Sequence, residues 1–485
     1  MFRSIFRQRS AILVVVLAAI FWVSPASAAK NVILMVADGA GWNVWLAAAM
    51  YEGRLGQQVF EKADWVKLGC STYPLNLSTT PTGDQHQDER LVYDPLRAWA
   101  VKNAADLPEK KRLLSAYTYL KTTATDSAAA ATAMATGKKT YNNAINWSNE
   151  DRPFRGETIA EIAKLRGKAV GVVTSVPWSH ATPAALGGAH NRSRNNYAEI
   201  AEEMLAADWL DVIIGAGHPH YDDDGRPLPP DRPRNYQYVG GQAIWDALSS
   251  GRKAWKLVET KADFEALLSG PAPPKLLGTV EAATTLQQNR GRGRVALDAR
   301  SESKEKSPAP FETPLNPSVP DLATLARAAI NCLDDNPSGF YLMIEGGAID
   351  WANHANQPER MIEEHVAFLR ALEAVVRWIE AHGGWEETLL IVTADHECGL
   401  LWGPKSDVIP FDPIQNHGVG RLPGLRYNSN GHTNSLVPLF ARGPGSRRFL
   451  ELVRHKDEQA AKVWSFSGGY IDNTDIFHVM KAELQ

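Results

Sequence analysis

The sequence predicts an α/β fold: a mostly parallel central sheet with helices on both faces and an insertion at the surface. Three observations carry this expectation. Continuous apolar runs of strand length recur along the chain, with amphipathic helical patterns between them. Unbroken apolar strands of this kind are buried on both faces, as in parallel sheets. Several of the runs end in Asp, Glu or His, and such sheets gather ligands beyond the carboxyl ends of their strands.

Taken in order, the chain opens with a secretory pattern. Arg3, Arg7 and Arg9 precede an apolar run at 11–23, too short to span a bilayer comfortably, and Ala26-Ser27-Ala28 offers a small-residue cleavage site. Residues 1–28 are therefore expected to be a signal peptide. The mature chain, 29–485, is expected to be exported to the periplasm or beyond the cell, with no membrane anchor after cleavage. Strands are expected at 31–36, 169–174, 211–214, 340–344, 389–392 and 437–440. Helices are expected at 158–165, 197–206, 321–333 and 360–382. Asp222-Asp223-Asp224-Gly225 opens a Pro-rich stretch, and 290–320 is rich in Arg, Ser, Lys, Glu and Pro. Together they predict an insertion at about 222–320 on one domain.

Composition narrows the function classes. The 485 residues are 44% hydrophobic and 22% charged, with a formal net charge of −4, so a large core is available and no nucleic-acid partner is expected. Three cysteines, Cys70, Cys332 and Cys398, are too few for a disulfide framework. Any zinc ligands must then come from His and Asp.

The strand ends supply such ligands. The first expected strand leads into Asp38-Gly39. The fourth leads into Glu345, with Asp350 and His354 spaced i, i+4 after it. The fifth leads into Asp395-His396-Glu397, and Gly431-His432-Thr433 precedes the last. Singly, each is more often a turn residue or a cap. Together they could fill two catalytic zinc sites. A nucleophile is offered by Thr125-Asp126-Ser127, followed by an Ala-rich run that favours a helix. Ser127 would stand at that helix's N-terminus, where free N–H groups favour phosphate. The plainer reading is that Asp126 or Ser127 only caps the helix.

These blocks, with His180-Ala181-Thr182-Pro183-Ala184, resemble the alkaline phosphatase family and occur in the family's order over nearly the whole mature chain. The resemblance implies a phosphate monoester hydrolase with Ser127 as nucleophile. It implies that Asp350, His354 and His432 bind one zinc, and Asp38, Asp395 and His396 a second. Asp38, Thr182 and Glu345 would help hold a third ion, normally magnesium. Arg194 matches the phosphate-binding arginine, with Arg192 a nearby rival. His180 and Trp351 stand where the best-known bacterial pattern has Asp and Lys beside the phosphate. An imidazole there suits zinc better than magnesium, so the third ion could be zinc. Family members are commonly homodimers. The nearest rival reading is a phosphodiesterase or sulfatase of the same superfamily. A protein of another class, sequestering phosphate or zinc, would have lost the nucleophile or broken the ligand set, and neither has happened here.

Overall fold

A computed structural model describes residues 28–100, 117–229, 231, 233, 235–291 and 309–484. The signal-peptide expectation at 1–28 lies outside the described residues apart from Ala28, as does the Arg- and Ser-rich part of the insertion at 292–308. Among the described residues no helix is long and apolar enough to cross a membrane.

The strands in chain order are β1 (Asn31–Val36), β2 (Val66–Ser71), β3 (Ala169–Pro177), β4 (Val212–Ala216), β5 (Lys256–Val258), β6 (Leu276–Thr279), β7 (Phe340–Glu345), β8 (Thr388–Thr393), β9 (Glu397–Cys398), β10 (Leu401–Trp402), β11 (Arg426–Tyr427), β12 (His432–Thr433), β13 (Val437–Arg442), β14 (His455–Lys456) and β15 (Gly469–Asp472). An 11-stranded sheet runs β14-β15-β2-β13-β8-β1-β7-β3-β4-β6-β5. Only β13 and β14 run against the other strands in it. Within the 222–320 segment, β5 and β6 extend this sheet at its edge.

Every residue of β1, β3, β4, β7 and β8 is buried, which requires cover on both faces. Two groups of helices supply it. Trp42–Glu52, Leu322–Leu333 and Pro358–Ala381 pack together, as do Ser127–Thr136, Ala181–Leu186 and Thr474–Glu483. The expected helix starts at Thr158 and Asp321 prove to be caps: each side chain accepts a backbone N–H three residues on. The long helix starts earlier than expected, with Pro358 in its first turn, where a missing N–H costs nothing.

Register decides where the chemistry emerges. Val36 at the end of β1 is level with Glu345 of β7 and Thr393 of β8, and Glu345 is level with Thr174 of β3. Three adjacent parallel strands, β8, β1 and β7, therefore end together and carry their succeeding segments to one edge of the sheet, beside β3.

Candidate active site

Asp38 follows β1, Glu345 ends β7, and Asp395-His396 follows β8, so the level register brings them together. The helix Ala348–His354 then sets Asp350 and His354 on one face, one turn apart. His432 opens β12, which pairs with β9 so that His432 faces Cys398. Gly39 makes this crowding possible. Its φ is +70°, and a Cβ there would lie 2.8 Å from Asp350 Oδ1, so any side chain would collide with a ligand candidate as well as strain the backbone.

One donor set is Asp350, His354 and His432. The two imidazole Nε2 atoms lie 2.9 Å apart, and each is 3.3–3.4 Å from a carboxylate oxygen of Asp350. Their other nitrogens are engaged: His354 Nδ1 is 2.7 Å from the Asn430 carbonyl and His432 Nδ1 is 2.9 Å from the Thr125 carbonyl. Donating Nδ1–H to a carbonyl leaves the Nε2 lone pair free for a metal. Burial opposes charge on Asp350, but the two imidazoles hold its carboxyl well below the usual range, while Asp350 raises His354 to about 9.

A second set is Asp38, Asp395 and His396, all buried. His396 Nε2 lies 3.2 Å from Asp395 Oδ2, 3.5 Å from Asp38 Oδ1 and 3.1 Å from the hydroxyl of Ser127. Burial, then neighbouring carboxylates, push Asp38 well above the usual carboxylate range and Asp395 to about 6. Burial likewise raises Glu345 to about 7. Charge of one sign packed this closely in a dry site calls for a cation. Asp38 Oδ1, Asp350 Oδ1, Asp395 Oδ2, Glu345 Oε1 and Thr182 Oγ1 are buried without a hydrogen-bond partner of normal geometry. Buried polar atoms rarely stay unmatched, so the donor set fits metal ions. Glu345 and Thr182, beside Asp38, offer only oxygens, which hard cations prefer.

Ser127 begins the helix Ser127–Thr136, whose N-cap is Asp126. One Asp126 oxygen accepts from Ala129 N at 3.0 Å and the other from Arg194 Nη1 at 3.1 Å. A single carboxylate thus fixes both the helix that Ser127 opens and the guanidinium. Arg194 is mostly buried, and its charge acts on Asp38, His180, His354 and His396. Arg192 turns away to Asp151 at 2.6 Å and is largely exposed. His180 caps Ala181–Leu186, and burial followed by Arg194 lowers it to about 3, so it stays neutral. Trp351 leans on it, ring centroids 5.5 Å apart.

The site also contains residues that the sequence does not single out. Thr174 donates to Glu345, Asn353 donates to the Gly39 carbonyl at 3.1 Å, and Tyr427 donates to Asn353 at 3.0 Å. The buried Cys398 thiol lies beside the Asp350, His354 and His432 donors. All three cysteines are free.

Residues 108–417 match the family model described as alkaline phosphatase. The chain is 27% identical to alkaline phosphatase H of Pseudomonas aeruginosa, over 94% of this chain and 85% of that one. It is 30% identical to the alkaline phosphatase of Escherichia coli over 74% of each. Its fold resembles that of the alkaline phosphatase from the Antarctic bacterium TAB5, with a TM-score of 0.58 at 24% identity, covering 95% and 99% of the two chains. A variant of that enzyme has Mg bound in its M3 site.

Proposed function

Because the chain belongs to the alkaline phosphatase family, and so hydrolyses phosphate monoesters, we propose that Ser127 carries the phosphoryl group through a phosphoseryl intermediate. The observation that carries this reading is the placement of Ser127. Its hydroxyl sits at a helix N-terminus, 3.1 Å from His396 and beside the Asp38 and Asp395 carboxylates.

Metal dependence is a property of the family, and the donor types suggest which ions. Asp350, His354 and His432, and Asp38, Asp395 and His396, would each hold zinc, whose tetrahedral shell takes His nitrogen and Asp oxygen. Asp38, Thr182 and Glu345 would hold magnesium, or zinc if His180 joins them. Such ions supply Lewis acidity, lowering the pKa of a nearby hydroxyl and neutralising developing oxyanions.

The chain's own groups do the rest. Arg194, held in place by Asp126, offers a planar fork that grips two phosphate oxygens. N–H groups at the start of Ser127–Thr136 face the same anion. Ser127 Oγ bonds to phosphorus as the ester P–O bond breaks, and the alcohol leaves with a proton. Water then attacks the seryl phosphate, the P–Oγ bond breaks, and inorganic phosphate is released. Export after loss of residues 1–28, placement of 222–320 as an insertion, and a homodimeric state belong to the same proposal. Turnover of an aryl phosphate, a bis-aryl phosphate and an aryl sulfate by the metal-loaded protein tests it. Monoester preference is expected, and a faster diester or sulfate reaction would overturn it.

A further inference from the structure

Four aromatic rings run in a row beside the phosphate site, and phosphoryl transfer by Ser127 uses no group of Trp351, Tyr197 or Tyr238. Trp351 follows Asp350 on the helix Ala348–His354, and its ring lies 5.5 Å from His180, tilted by 59°. His180 stacks on Tyr197, centroids 5.6 Å apart and planes 15° apart. Tyr197 meets Tyr238 edge to face at 5.0 Å. Each ring comes from a different segment. Tyr197 opens the helix Tyr197–Ala206, just after Arg194. Tyr238 sits in the short turn Tyr236–Val239, tied down where Ser179 donates to its carbonyl at 3.0 Å.

Trp351, Tyr197 and Tyr238 are each only partly buried. A large ring left half-open forgoes part of its hydrophobic stabilisation, and a contiguous row of them beside a ligand site is a surface for a ligand. The spacings of 5.0–5.6 Å are too tight to admit another ring between members, which would need roughly 7 Å. A flat group must lie along the outside of the row.

We propose that this row is a subsite for the leaving alcohol, and that the protein favours phosphate monoesters whose alcohol carries a flat ring, as in a nucleoside 5′-monophosphate. The proposal rests on the Ser127 reading. In-line attack by Ser127 expels the alcohol on the side away from Ser127, and the row starts beside Arg194: Tyr197 opens the helix three residues after it and stacks on His180. The ring of the departing alcohol is therefore carried along the row, while Arg194 keeps the phosphoryl group. Stacking is tolerant of ring identity, so one flat base is taken about as well as another.

The test compares kcat/KM for adenosine 5′-monophosphate and for glycerol 2-phosphate in the full-length, metal-loaded protein. The ratio in the parent is expected to favour the nucleotide about tenfold, the scale of one base stacked on aromatic side chains. Tyr197→Leu should erase most of that ratio, Tyr238→Leu part of it, and Tyr197→Phe, which keeps the ring, almost none. A calorimetric measurement of adenosine 5′-monophosphate binding to Ser127→Ala, with and without Tyr197→Leu, reads the row without turnover. A weakening of about tenfold is expected there too. Equal ratios in the parent and Tyr197→Leu, or equal binding in the two Ser127→Ala proteins, would overturn the proposal. Failure of the parent to turn over either monoester would instead count against the Ser127 reading, and the binding measurement would still decide the row.

Discussion

Ser127 Oγ and His396 Nε2 stand 3.1 Å apart although 269 residues separate them in the chain. The same imidazole lies between Asp38 and Asp395. The hydroxyl is therefore held at the rim of the Asp38, Asp395 and His396 donors, so the proposed nucleophile is distinct from the three side chains proposed as ligands.

Ser127→Ala should accordingly abolish turnover while leaving metal content intact. Loss of roughly four orders of magnitude or more in kcat is expected, as for other enzyme nucleophiles. Elemental analysis beside single-turnover kinetics checks it. Unchanged kinetics in a fully metallated variant would remove Ser127 from the mechanism.

Metal affinity should depend steeply on pH. Asp350 raises His354 to about 9 in the ion-free protein, so below that pH the imidazole holds a proton that an incoming ion must displace. Affinity thus rises with pH towards about 9 and weakens as pH falls. For one displaced proton the zinc dissociation constant should be roughly a hundredfold weaker at pH 6 than at pH 8. Competition against a chelator of known affinity measures it, and a flat profile would contradict the ligand assignment. Exhaustive chelation should remove activity and added zinc should restore it.

Asp126→Ala should act twice, because one carboxylate caps a helix and orients Arg194. The cap contributes about 1 kcal/mol to stability. The freed guanidinium should weaken competitive inhibition by inorganic phosphate by roughly tenfold or more, the scale of one lost charge-assisted hydrogen bond. Asp126→Asn should keep most of the cap and lose most of the hold on Arg194. Identical phosphate inhibition in all three proteins would show that Arg194 is positioned by something else.

Trp351→Lys should tighten phosphate inhibition. Trp351 brings no charge to the dianion, whereas an ammonium at this position would add one, worth on the order of tenfold in affinity in a partly screened site. Inhibition constants at fixed ionic strength and saturating metal measure it. Unchanged or weaker inhibition in a folded variant would defeat the electrostatic argument.

The centre of the sheet was the legible part. β1, β7 and β8 are unbroken apolar runs, and each leads into a carboxylate that a buried strand has no reason to carry unless it is used. β2 escaped because Lys67 and Gly69 interrupt it, and β5 because its three residues begin on an exposed Lys256. The Asp- and Pro-rich opening of 222–320 reads as loop, which hides the two strands that extend the sheet. Thr174 lies in an expected strand, yet its bond to Glu345 exists only because β3 and β7 pair in one register. The carbonyls of Asn430 and Thr125 that orient His354 and His432 carry no side-chain signal at all. The resemblance points to Arg194 with Arg192 as a nearby rival, and geometry parts the two, Arg194 being held by Asp126 and Arg192 by Asp151.

The level ends of β1, β7 and β8 also govern the order of events during folding. Gly39 N reaches Asp395 across 356 residues, so local pairs such as Asp350 with His354 are all that the chain can offer an ion until these strands are paired. Pairings this distant form slowly, so the complete donor sets are expected to form late in folding. Bound metal then favours the native state by mass action, about 2.7 kcal/mol per site at a hundredfold excess over its dissociation constant. Interactions absent from the transition state act on the escape rate from the native state. Removing metal should therefore hasten unfolding and leave the refolding rate almost untouched, which makes the ions locks on a finished frame and not guides to its assembly.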